Sequence, residues 1–332
     1  MIMLTDDPGG LKNDDYLLSF YRGRKVFVVG ADGFLGLNCI VALQKLQADL
    51  TILTRRNVPR VRQYNGNIIY GDLKDADLMR KAVQNQEIIF NFAGGSSAVD
   101  SIQFPEKNLD EELRANLTLF SACSNSDYSP LIINCSTRLV YGKPEYLPVD
   151  EKHPLNPQSI YAVHKLAAEY YLEVFRKSHG LRYITFRLSN PYGPYQSLEY
   201  KGYGVINRFL QNAAHHKPIT LYGDGSQKRD YIYVGDVIRI FLLCAMTPDC
   251  QGQVFNVGGR KAVCISEAAN LISAVAGDCA IHYVPWPDRS KIIETGDYET
   301  DMTKLSHYIS LPDECSLKNG FEHTLKYYRE MS

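Results

Sequence analysis

Tyr161 and Lys165 stand four positions apart in the segment YAVHK, within a long stretch of helical periodicity. Residues at this spacing share one face of an α-helix, so the phenol and the ammonium would lie side by side. A tyrosine phenol has a reference pKa of about 10, and a nearby positive charge favours its ionised form. The pair could therefore move a proton at neutral pH, although YxxxK is a common spacing that two surface residues also produce.

A glycine-rich turn supplies a candidate binding site for a dinucleotide. The segment GADGFLG places Gly30, Gly33 and Gly36 between a short apolar run and a helical pattern. In a strand–turn–helix unit such glycines allow a tight turn, backbone contact with a pyrophosphate and close packing of the helix on the strand. The helix N-terminus also favours negative charge. We expect this turn, including Phe34 and Leu35, to bind the cofactor; the alternative is a plain turn with chance spacing.

The segment LTILTRR bears on which dinucleotide binds. It is the second predicted strand, and it ends where nucleotide-binding proteins often place an acidic residue for the adenosine ribose. Thr54, Arg55 and Arg56 occupy that position. An acid would repel a 2′-phosphate, whereas guanidinium groups offer donors suited to one. The sequence therefore favours NADP(H) over NAD(H), unless the two arginines are only solvated charges at a strand end.

The elements that would hold these residues alternate along the chain. Apolar runs such as KVFVVG and PLIINCST alternate with helical patterns as far as residue 188, which predicts an α/β fold of the Rossmann type. Its core would be a doubly wound parallel sheet. We predict an N-terminal extension at 1–22, a dinucleotide-binding domain at 23–188 and a smaller mixed α/β substrate-binding region at 189–332. A helix at 236–247 could pack back on the first domain.

Composition excludes several classes of protein. The chain has 332 residues with 45% hydrophobic residues and a formal net charge of -1, which gives no support for binding nucleic acid or an acidic membrane. No apolar run reaches the ~20 residues of a membrane helix, and the N-terminus lacks the apolar segment of a signal peptide. Eight cysteines are spread singly, so we expect core residues of a reducing, cytoplasmic compartment and no metal site.

Further motifs accompany the glycine turn and YAVHK, namely YGDL, NFAG, CSTRLVYG, RLSNPYGP, YGDGSQKRDYIYVGD and FNVGG. Together they resemble the extended short-chain dehydrogenase/reductase family, specifically its nucleotide-sugar epimerases, dehydratases and 4-ketoreductases. The resemblance covers nearly all of residues 25–330. It implies a nucleotide-diphosphate sugar as the substrate, and a homodimer formed through a four-helix bundle that includes the YAVHK helix.

The resemblance also implies roles for individual residues. Tyr161 would be the general acid/base, Lys165 would also hold the nicotinamide ribose, and Thr137 would hydrogen-bond the reacting sugar oxygen. The remaining implied contacts are those of Asp72 and Leu73 with adenine, Ala93 with the cofactor, Ser136 with the sugar beside Thr137, and Asn190 and Arg229 with the substrate phosphates.

Two departures from the family patterns narrow the activity. The 4,6-dehydratases usually carry Asp-Glu directly after the catalytic Thr, where this chain has Arg138 and Leu139. The UDP-glucose 4-epimerases usually keep the acid at the end of the second strand, which Thr54 replaces. The sequence therefore favours an NADPH-dependent reductase of NDP-4-keto-6-deoxysugars. An NDP-hexose 4-epimerase is the alternative, and a non-catalytic dinucleotide-sensing protein is a minor alternative.

Overall fold

The computed structural model describes residues 14–55, 64, 66–95, 98–197, 204–286 and 294–331. Within them the strands are β1 (Lys25–Val29), β2 (Asp49–Thr54), β3 (Asn67–Tyr70), β4 (Ile88–Asn91), β5 (Leu131–Thr137), β6 (Arg182–Leu188), β7 (Asn190–Tyr192), β8 (Ile219–Tyr222), β9 (Lys228–Tyr233), β10 (Gln253–Val257), β11 (Ala262–Cys264) and β12 (Ile281–Val284). Seven of them form a sheet in the order β10-β6-β5-β4-β1-β2-β3.

Every pairing in this sheet is parallel. Because β1 lies between β2 and β4, the chain winds outwards from β1 in both directions, and a crevice forms at the carboxyl ends of β1 and β4. The register that pairs Val29 with Asn91 sets the end of β1 beside the end of β4. The predicted doubly wound parallel sheet is confirmed.

Helices cover both faces of the sheet because both faces are apolar. Along β1, Val26 and Val28 belong to one core cluster, whereas Phe27 and Val29 belong to another. The helices are Asp15–Tyr21, Phe34–Lys45, Ala76–Ala82, Ala98–Gln103, Pro105–Asn108, Ala115–Ser124, Ile160–His179, Val205–Ala214, Val234–Met246, Ile265–Ala276, Thr303–Ser306 and Leu317–Glu330, with a π-helical turn at Leu109–Arg114 and 3₁₀ turns at Arg138–Tyr141 and Pro248–Cys250.

The second region is smaller, but it does not begin cleanly at residue 189. It contains the three-stranded sheet β11-β9-β7 and the parallel pair β12-β8. By contrast, β10 pairs with β6 as an edge strand of the large sheet. The Val234–Met246 helix also packs there, since the rings of Phe241 and Phe186 stack with their centroids 4.3 Å apart. The helix expected at 236–247 runs over Val234–Met246 and packs against β6 of the large sheet, while the division of the chain into domains stays a prediction.

Part of the predicted N-terminal extension belongs to the core. The Asp15–Tyr21 helix begins where the side chain of Asp14 accepts a hydrogen bond from the Leu17 amide. Leu17 and Tyr21 are fully buried, and the Tyr21 hydroxyl donates to the Leu242 carbonyl at 2.9 Å. The structure therefore ties the end of this extension to the Val234–Met246 helix, while residues 1–13 lie outside the described part of the chain.

Candidate active site

The three predicted catalytic residues come from two neighbouring elements. Thr137 is the last residue of β5, and its Oγ1 accepts a hydrogen bond from the Leu139 amide at 3.3 Å. Tyr161 and Lys165 lie in the Ile160–His179 helix, which we call the catalytic helix. Ser159 caps this helix by accepting a hydrogen bond from the Ala162 amide at 3.2 Å. The capping fixes the first turn, and with it the position of Tyr161.

Lys165 links the catalytic helix to β5. Its Nζ donates to the Cys135 carbonyl at 3.2 Å, two residues before Thr137, and lies 5.7 Å from the centroid of the Tyr161 ring. Tyr161 and Lys165 therefore lie beside the carboxyl end of β5, the strand whose last residue is Thr137. An ammonium at this place favours the ionised form of the phenol, which is the state that accepts a proton.

Glu112 is a fourth residue at this site, an acid that pairs with Lys165, and sequence reasoning missed it. Its Oε2 lies 3.0 Å from Lys165 Nζ, and its side chain is fully buried. Burial raises the pKa of Glu112 to about 7, against the lowering effect of Lys165. Burial also lowers the pKa of Lys165, but the surrounding negative groups, Glu112 first, outweigh that effect, and the pKa of Lys165 is raised.

The element that carries Glu112 explains why it was missed. Glu112 lies in a π-helical turn at Leu109–Arg114, which precedes the Ala115–Ser124 helix. The repeat of a π turn is wider than that of an α-helix, so residues inside it, Glu112 among them, lie on other faces than in a continuous α-helix, and such turns are often found at functional sites. Glu112 consequently points inwards from a run of acidic residues that would otherwise be assigned to the surface.

The glycine turn has the geometry that a dinucleotide diphosphate requires. Gly30 has φ +75°, and a Cβ there would lie 2.6 Å from the Phe92 carbonyl carbon; a Cβ on Gly36 would collide with the Gly30 oxygen. The Phe34–Lys45 helix begins directly after Gly33 with no side-chain cap among the described residues, so its first amides face the turn. Phe34 and Leu35 supply two of those amides. The cradle therefore fits the diphosphate.

The end of β4 connects this cradle to the catalytic residues. Phe92 and Ala93 touch the glycine turn, and the Ala93 amide donates to Asn91 Oδ1 at 3.3 Å. One residue further, a Cβ on Gly94 would lie 2.6 Å from the carboxylate oxygens of Glu112. A short run of backbone that includes Ala93 thus joins the predicted cofactor site to the Lys165–Glu112 pair, and the contact of Ala93 with the cofactor stays a prediction.

The adenosine end is less completely built in the described residues. Thr54 is buried at the end of β2, and Arg55 is exposed. Arg56 lies outside the described residues. Asp72 Oδ1 accepts a hydrogen bond from the Lys74 amide at 2.9 Å, and Leu73 is buried. One exposed guanidinium is therefore what the described structure offers for a 2′-phosphate.

On the predicted substrate side, both polar residues already have protein partners. Asn190 Nδ2 donates to the Asp230 carbonyl at 3.3 Å and to its Oδ1 at 3.2 Å. Arg229 is buried and donates to the Lys228 carbonyl at 2.8 Å, to the Gly296 carbonyl, and to the carboxylate of Glu294. A substrate phosphate would have to replace part of this set to reach the Arg229 guanidinium.

Ser136 is not brought to the site beside Thr137. Its hydroxyl donates to Glu169, which also accepts hydrogen bonds from Arg187 in a buried network. Consecutive residues of a strand point to opposite faces, so Ser136 and Thr137 diverge. The described contacts of Ser136 give it a part in this internal network.

Arg138 joins the catalytic strand to the substrate region. Its Nη1 donates to Thr295 Oγ1 at 3.0 Å, and its guanidinium carbon lies 4.7 Å from the centroid of the Tyr298 ring. Burial, followed by the positive charge of Arg229, lowers the pKa of Arg138 to about 10. The position that sequence analysis noted only as a departure therefore holds a buried cation between Thr137 and Arg229.

Two further findings concern the described residues alone. Among them, no group of three His, Cys, Asp or Glu side chains is arranged to hold a metal ion. None of their helices combines the length and the apolar character needed to cross a membrane. The eight cysteines are free thiols, four of them buried.

Comparisons with known proteins agree with this geometry. UDP-glucose 4-epimerase of Mycolicibacterium smegmatis is 27% identical over 319 residues, which cover 93% of this chain and 99% of that protein. The structure of UDP-N-acetylglucosamine 4-epimerase from Methanobrevibacter ruminantium M1 with UDP-N-acetylmuramic acid matches with TM-score 0.86 and 28% identity, covering 94% of this chain and 100% of that one.

A further structure, UDP-glucose 4-epimerase of Thermus thermophilus in complex with NAD, matches with TM-score 0.79 and 27% identity, covering 92% of this chain and 99% of that one. The model of the NAD dependent epimerase/dehydratase family matches residues 26–258. This family match, together with the parallel sheet and the glycine turn, confirms the predicted resemblance. The chain therefore belongs to the NAD dependent epimerase/dehydratase family and is an NAD(P)-dependent sugar-modifying enzyme.

Proposed function

We propose that the protein is a 4-epimerase of nucleotide-diphosphate hexoses. The observation that carries this proposal is the position of the Tyr161–Lys165 pair beside the carboxyl end of β5, where Thr137 ends the strand, joined through the end of β4 to the glycine turn. The similarity to three 4-epimerases over more than nine-tenths of the chain supports the same activity.

In this proposal the protein handles the proton. When bound beside these residues, a nicotinamide would supply the acceptor and donor of the hydride at sugar C4. Tyr161 removes the proton of the C4 hydroxyl and gives it back after the sugar has presented its other face. Lys165 favours the phenolate by its charge, and Thr137 hydrogen-bonds the sugar oxygen. Because proton and hydride are both returned, no reductant is consumed.

The substrate diphosphate would bind on the side of Asn190 and Arg229. Both are placed near Asp230 and the segment from 294 to 300, and Arg229 carries the fork of donors that matches a phosphate. This diphosphate site is supported by the position of the two residues and the charge of Arg229. The family resemblance also implies phosphate-binding roles for Asn190 and Arg229. Binding would exchange the Glu294 carboxylate for a phosphate oxygen.

The geometry disfavours a 4,6-dehydratase. Elimination of water needs an acid and a base next to the catalytic Thr, and this chain has a buried Arg138 with Leu139 after it. Arg138 already donates to Thr295 and keeps its positive charge near neutral pH, since its pKa is lowered only to about 10.

A second candidate is the NADPH-dependent reductase of an NDP-4-keto-6-deoxysugar that the sequence favoured. Its specific support is Arg55, exposed at the end of β2 where an acid would otherwise select NAD. The family model is NAD dependent, and the similar Thermus thermophilus enzyme binds NAD, which supports NAD(H). A preference for NADP(H) is therefore a proposal tied to Arg55 and Arg56.

One experiment separates the two. The purified protein is incubated with UDP-, dTDP-, GDP- and CDP-hexoses without added reductant, and the C4 epimers are quantified by chromatography. In parallel, NADPH and NADH absorbance is followed with a 4-keto-6-deoxy sugar nucleotide. Interconversion of epimers supports the epimerase. Oxidation of NADPH with no interconversion would replace it with the reductase.

We also propose a homodimer built on the catalytic helix. Val163, Tyr170 and Val174 lie on one side of this helix and are exposed by 48%, 58% and 59% of their areas. A single helix face with three large exposed apolar residues is typical of a helix–helix interface. Light scattering should give a mass near twice 37.6 kDa, and Val174→Glu should shift it towards the monomer.

A further inference from the structure

Glu112 is fully buried, and burying a carboxylate costs free energy that only an ion pair or hydrogen bonds can offset. Its side chain is fully enclosed, its Oε2 lies 3.0 Å from Lys165 Nζ, and its oxygens lie against the backbone at Gly94. The π-helical turn Leu109–Arg114 directs it inwards. Neither the predicted roles nor the proposed reaction uses this carboxylate.

The charged and titratable neighbours of Glu112 define what it can do. Lys165 faces it from the catalytic helix, Cys135 from β5, and Glu111 from its own turn, while Tyr161 lies on the other side of this set as a neighbour of Lys165. His164 of the same helix instead contacts Asn108 Oδ1 at 2.8 Å. Burial raises the pKa of the Cys135 thiol to about 11, so that thiol stays neutral near pH 7. Lys165 is therefore the cation to which Glu112 responds.

We propose that Glu112 is a positioning residue: its buried carboxylate holds the Lys165 ammonium against Cys135 and offsets part of the charge by which Lys165 assists Tyr161. The proposal rests on the proposed proton transfer through Tyr161. A carboxylate 3.0 Å from the ammonium lies closer to it than the phenol ring, whose centroid is 5.7 Å away. The positive charge of Lys165 therefore acts on the Glu112 carboxylate as well as on the Tyr161 phenolate, and the phenolate is stabilised less than it would be by Lys165 alone.

The direction of the effect follows from the charges. Removing the carboxylate leaves the full positive charge of Lys165 near Tyr161, so Tyr161 should lose its proton at a lower pH. A merely structural Glu112 would change the stability of the fold and leave that ionisation where it is. The two roles are therefore separated by a titration of Tyr161.

The test compares wild type with Glu112→Gln, which keeps the shape and removes the charge. Tyrosine ionisation is followed by ultraviolet absorbance against pH. Subtracting the curve of each protein's own Tyr161→Phe counterpart isolates Tyr161 among the 23 tyrosines. We expect the midpoint of Tyr161 ionisation to fall by about one pH unit in Glu112→Gln. The matched control is Glu106→Gln, an exposed acid just before the π turn, which should leave the midpoint unchanged.

This readout does not need a substrate, so it stands even if no sugar nucleotide turns over and the proposed function fails. If turnover is found, the acid limb of kcat/KM should move in the same direction. Should Glu112→Gln fail to fold, Glu112→Asp withdraws the charge by one methylene and should give a smaller shift of the same sign. An unchanged midpoint in whichever of these variants folds, or a rise, would overturn the proposal.

Discussion

Two buried cations flank the candidate active site, and each is paired with a carboxylate in a different way. On the cofactor side, Lys165 and Glu112 have exposed side-chain fractions of 10% and 0%. On the substrate side, Arg229 is similarly buried at 7%, but its partner Glu294 is exposed by 25%. The first pair is closed to solvent and the second is open at the acid.

The difference indicates two uses of the same interaction. A fully enclosed pair cannot exchange its acid for a ligand, so its effect is on the charge and position of Lys165. A pair whose acid reaches solvent can exchange that acid for a ligand. The carboxylate is already partly hydrated, so separating it from the cation costs less free energy. The substrate diphosphate could then take the place of Glu294 at Arg229, while Glu112 would stay with Lys165 throughout.

Tyr161→Phe tests the enclosed side with the largest expected effect. Without the hydroxyl, no proton can pass between the sugar and Tyr161, and turnover should fall by about a thousandfold, the usual scale of general acid–base catalysis. Cofactor binding should survive, since the ring and Lys165 remain. Turnover and cofactor titration are measured together, with Tyr171→Phe on the same helix as the control. Undiminished turnover in Tyr161→Phe would contradict a role of the Lys165–Glu112 pair in catalysis, since the pair is proposed to act through Tyr161.

Gly30→Ala tests whether the cofactor cradle is continuous with that pair. Gly30 and Gly180 share a positive φ, +75° and +69°, but a Cβ on Gly30 would lie 2.6 Å from the Phe92 backbone, and one on Gly180 meets nothing within 4 Å. Gly180→Ala should therefore cost only the backbone strain of about 1 kcal/mol. Gly30→Ala should cost about 2 kcal/mol more and weaken dinucleotide binding.

Denaturant unfolding gives the two free energies, and fluorescence titration gives the affinity. Equal losses of stability in Gly30→Ala and Gly180→Ala would contradict the close approach of the glycine turn to the end of β4. Unchanged cofactor affinity in a stable Gly30→Ala protein would separate the turn from the dinucleotide.

Much of the fold followed from local sequence patterns. The strand predicted from LTILTRR is β2, and the helical stretch predicted around YAVHK is the catalytic helix. The seventh strand did not follow, because the position of β10 beside β6 depends on a chain that leaves the first domain and returns. The Asp15–Tyr21 helix was missed since a seven-residue helix owes its stability to packing.

The residues of the candidate active site also differ in whether local sequence patterns could predict them. Residues in recognisable motifs, such as Thr137, Tyr161 and Lys165, were found because their spacing carries the chemistry. Glu112 could not be found, since its inward direction comes from a π turn set by tertiary packing. Ser136 shows the reverse: strand alternation alone could have separated it from Thr137.

The enclosed pair also predicts a pH dependence of stability. Burial raises the pKa of Glu112 from an ordinary 4.5 to about 7, so between these values the folded protein binds this proton more tightly than the unfolded chain. Stability from this group is therefore lost as pH rises from about 5 through the folded pKa of about 7, and it becomes constant only once the folded carboxyl has fully ionised. Lys165 stays charged in both states over this range.

The comparison is between wild type and Glu112→Gln, unfolded by denaturant at several pH values. Their difference in unfolding free energy should change by on the order of 1 kcal/mol between about pH 5 and pH 7, with wild type losing stability relative to the variant. The buried Asp230, whose pKa burial raises to about 6, contributes equally to both proteins and cancels. A constant difference would mean that Glu112 does not titrate in this range.

The smallest expected effect is on KM for the sugar nucleotide, and it comes from the Arg229–Glu294 pair. Substitutions of the two residues should change this KM in opposite directions. If Glu294 occupies the place of a substrate phosphate, Glu294→Gln removes a competitor, and KM for the sugar nucleotide should fall by about threefold, as for a partly exposed ion pair. Arg229→Lys keeps the charge but loses the fork of donors, and KM should rise.

The exposed Lys318–Glu322 pair supplies the control, since Glu322→Gln removes an acid whose partner is far more exposed than Arg229. In each case kcat should change little, because the phosphates bind equally before and during the reaction. A KM that rises in Glu294→Gln would show that this acid positions Arg229 for the ligand, and the two pairs would then differ in exposure without differing in use.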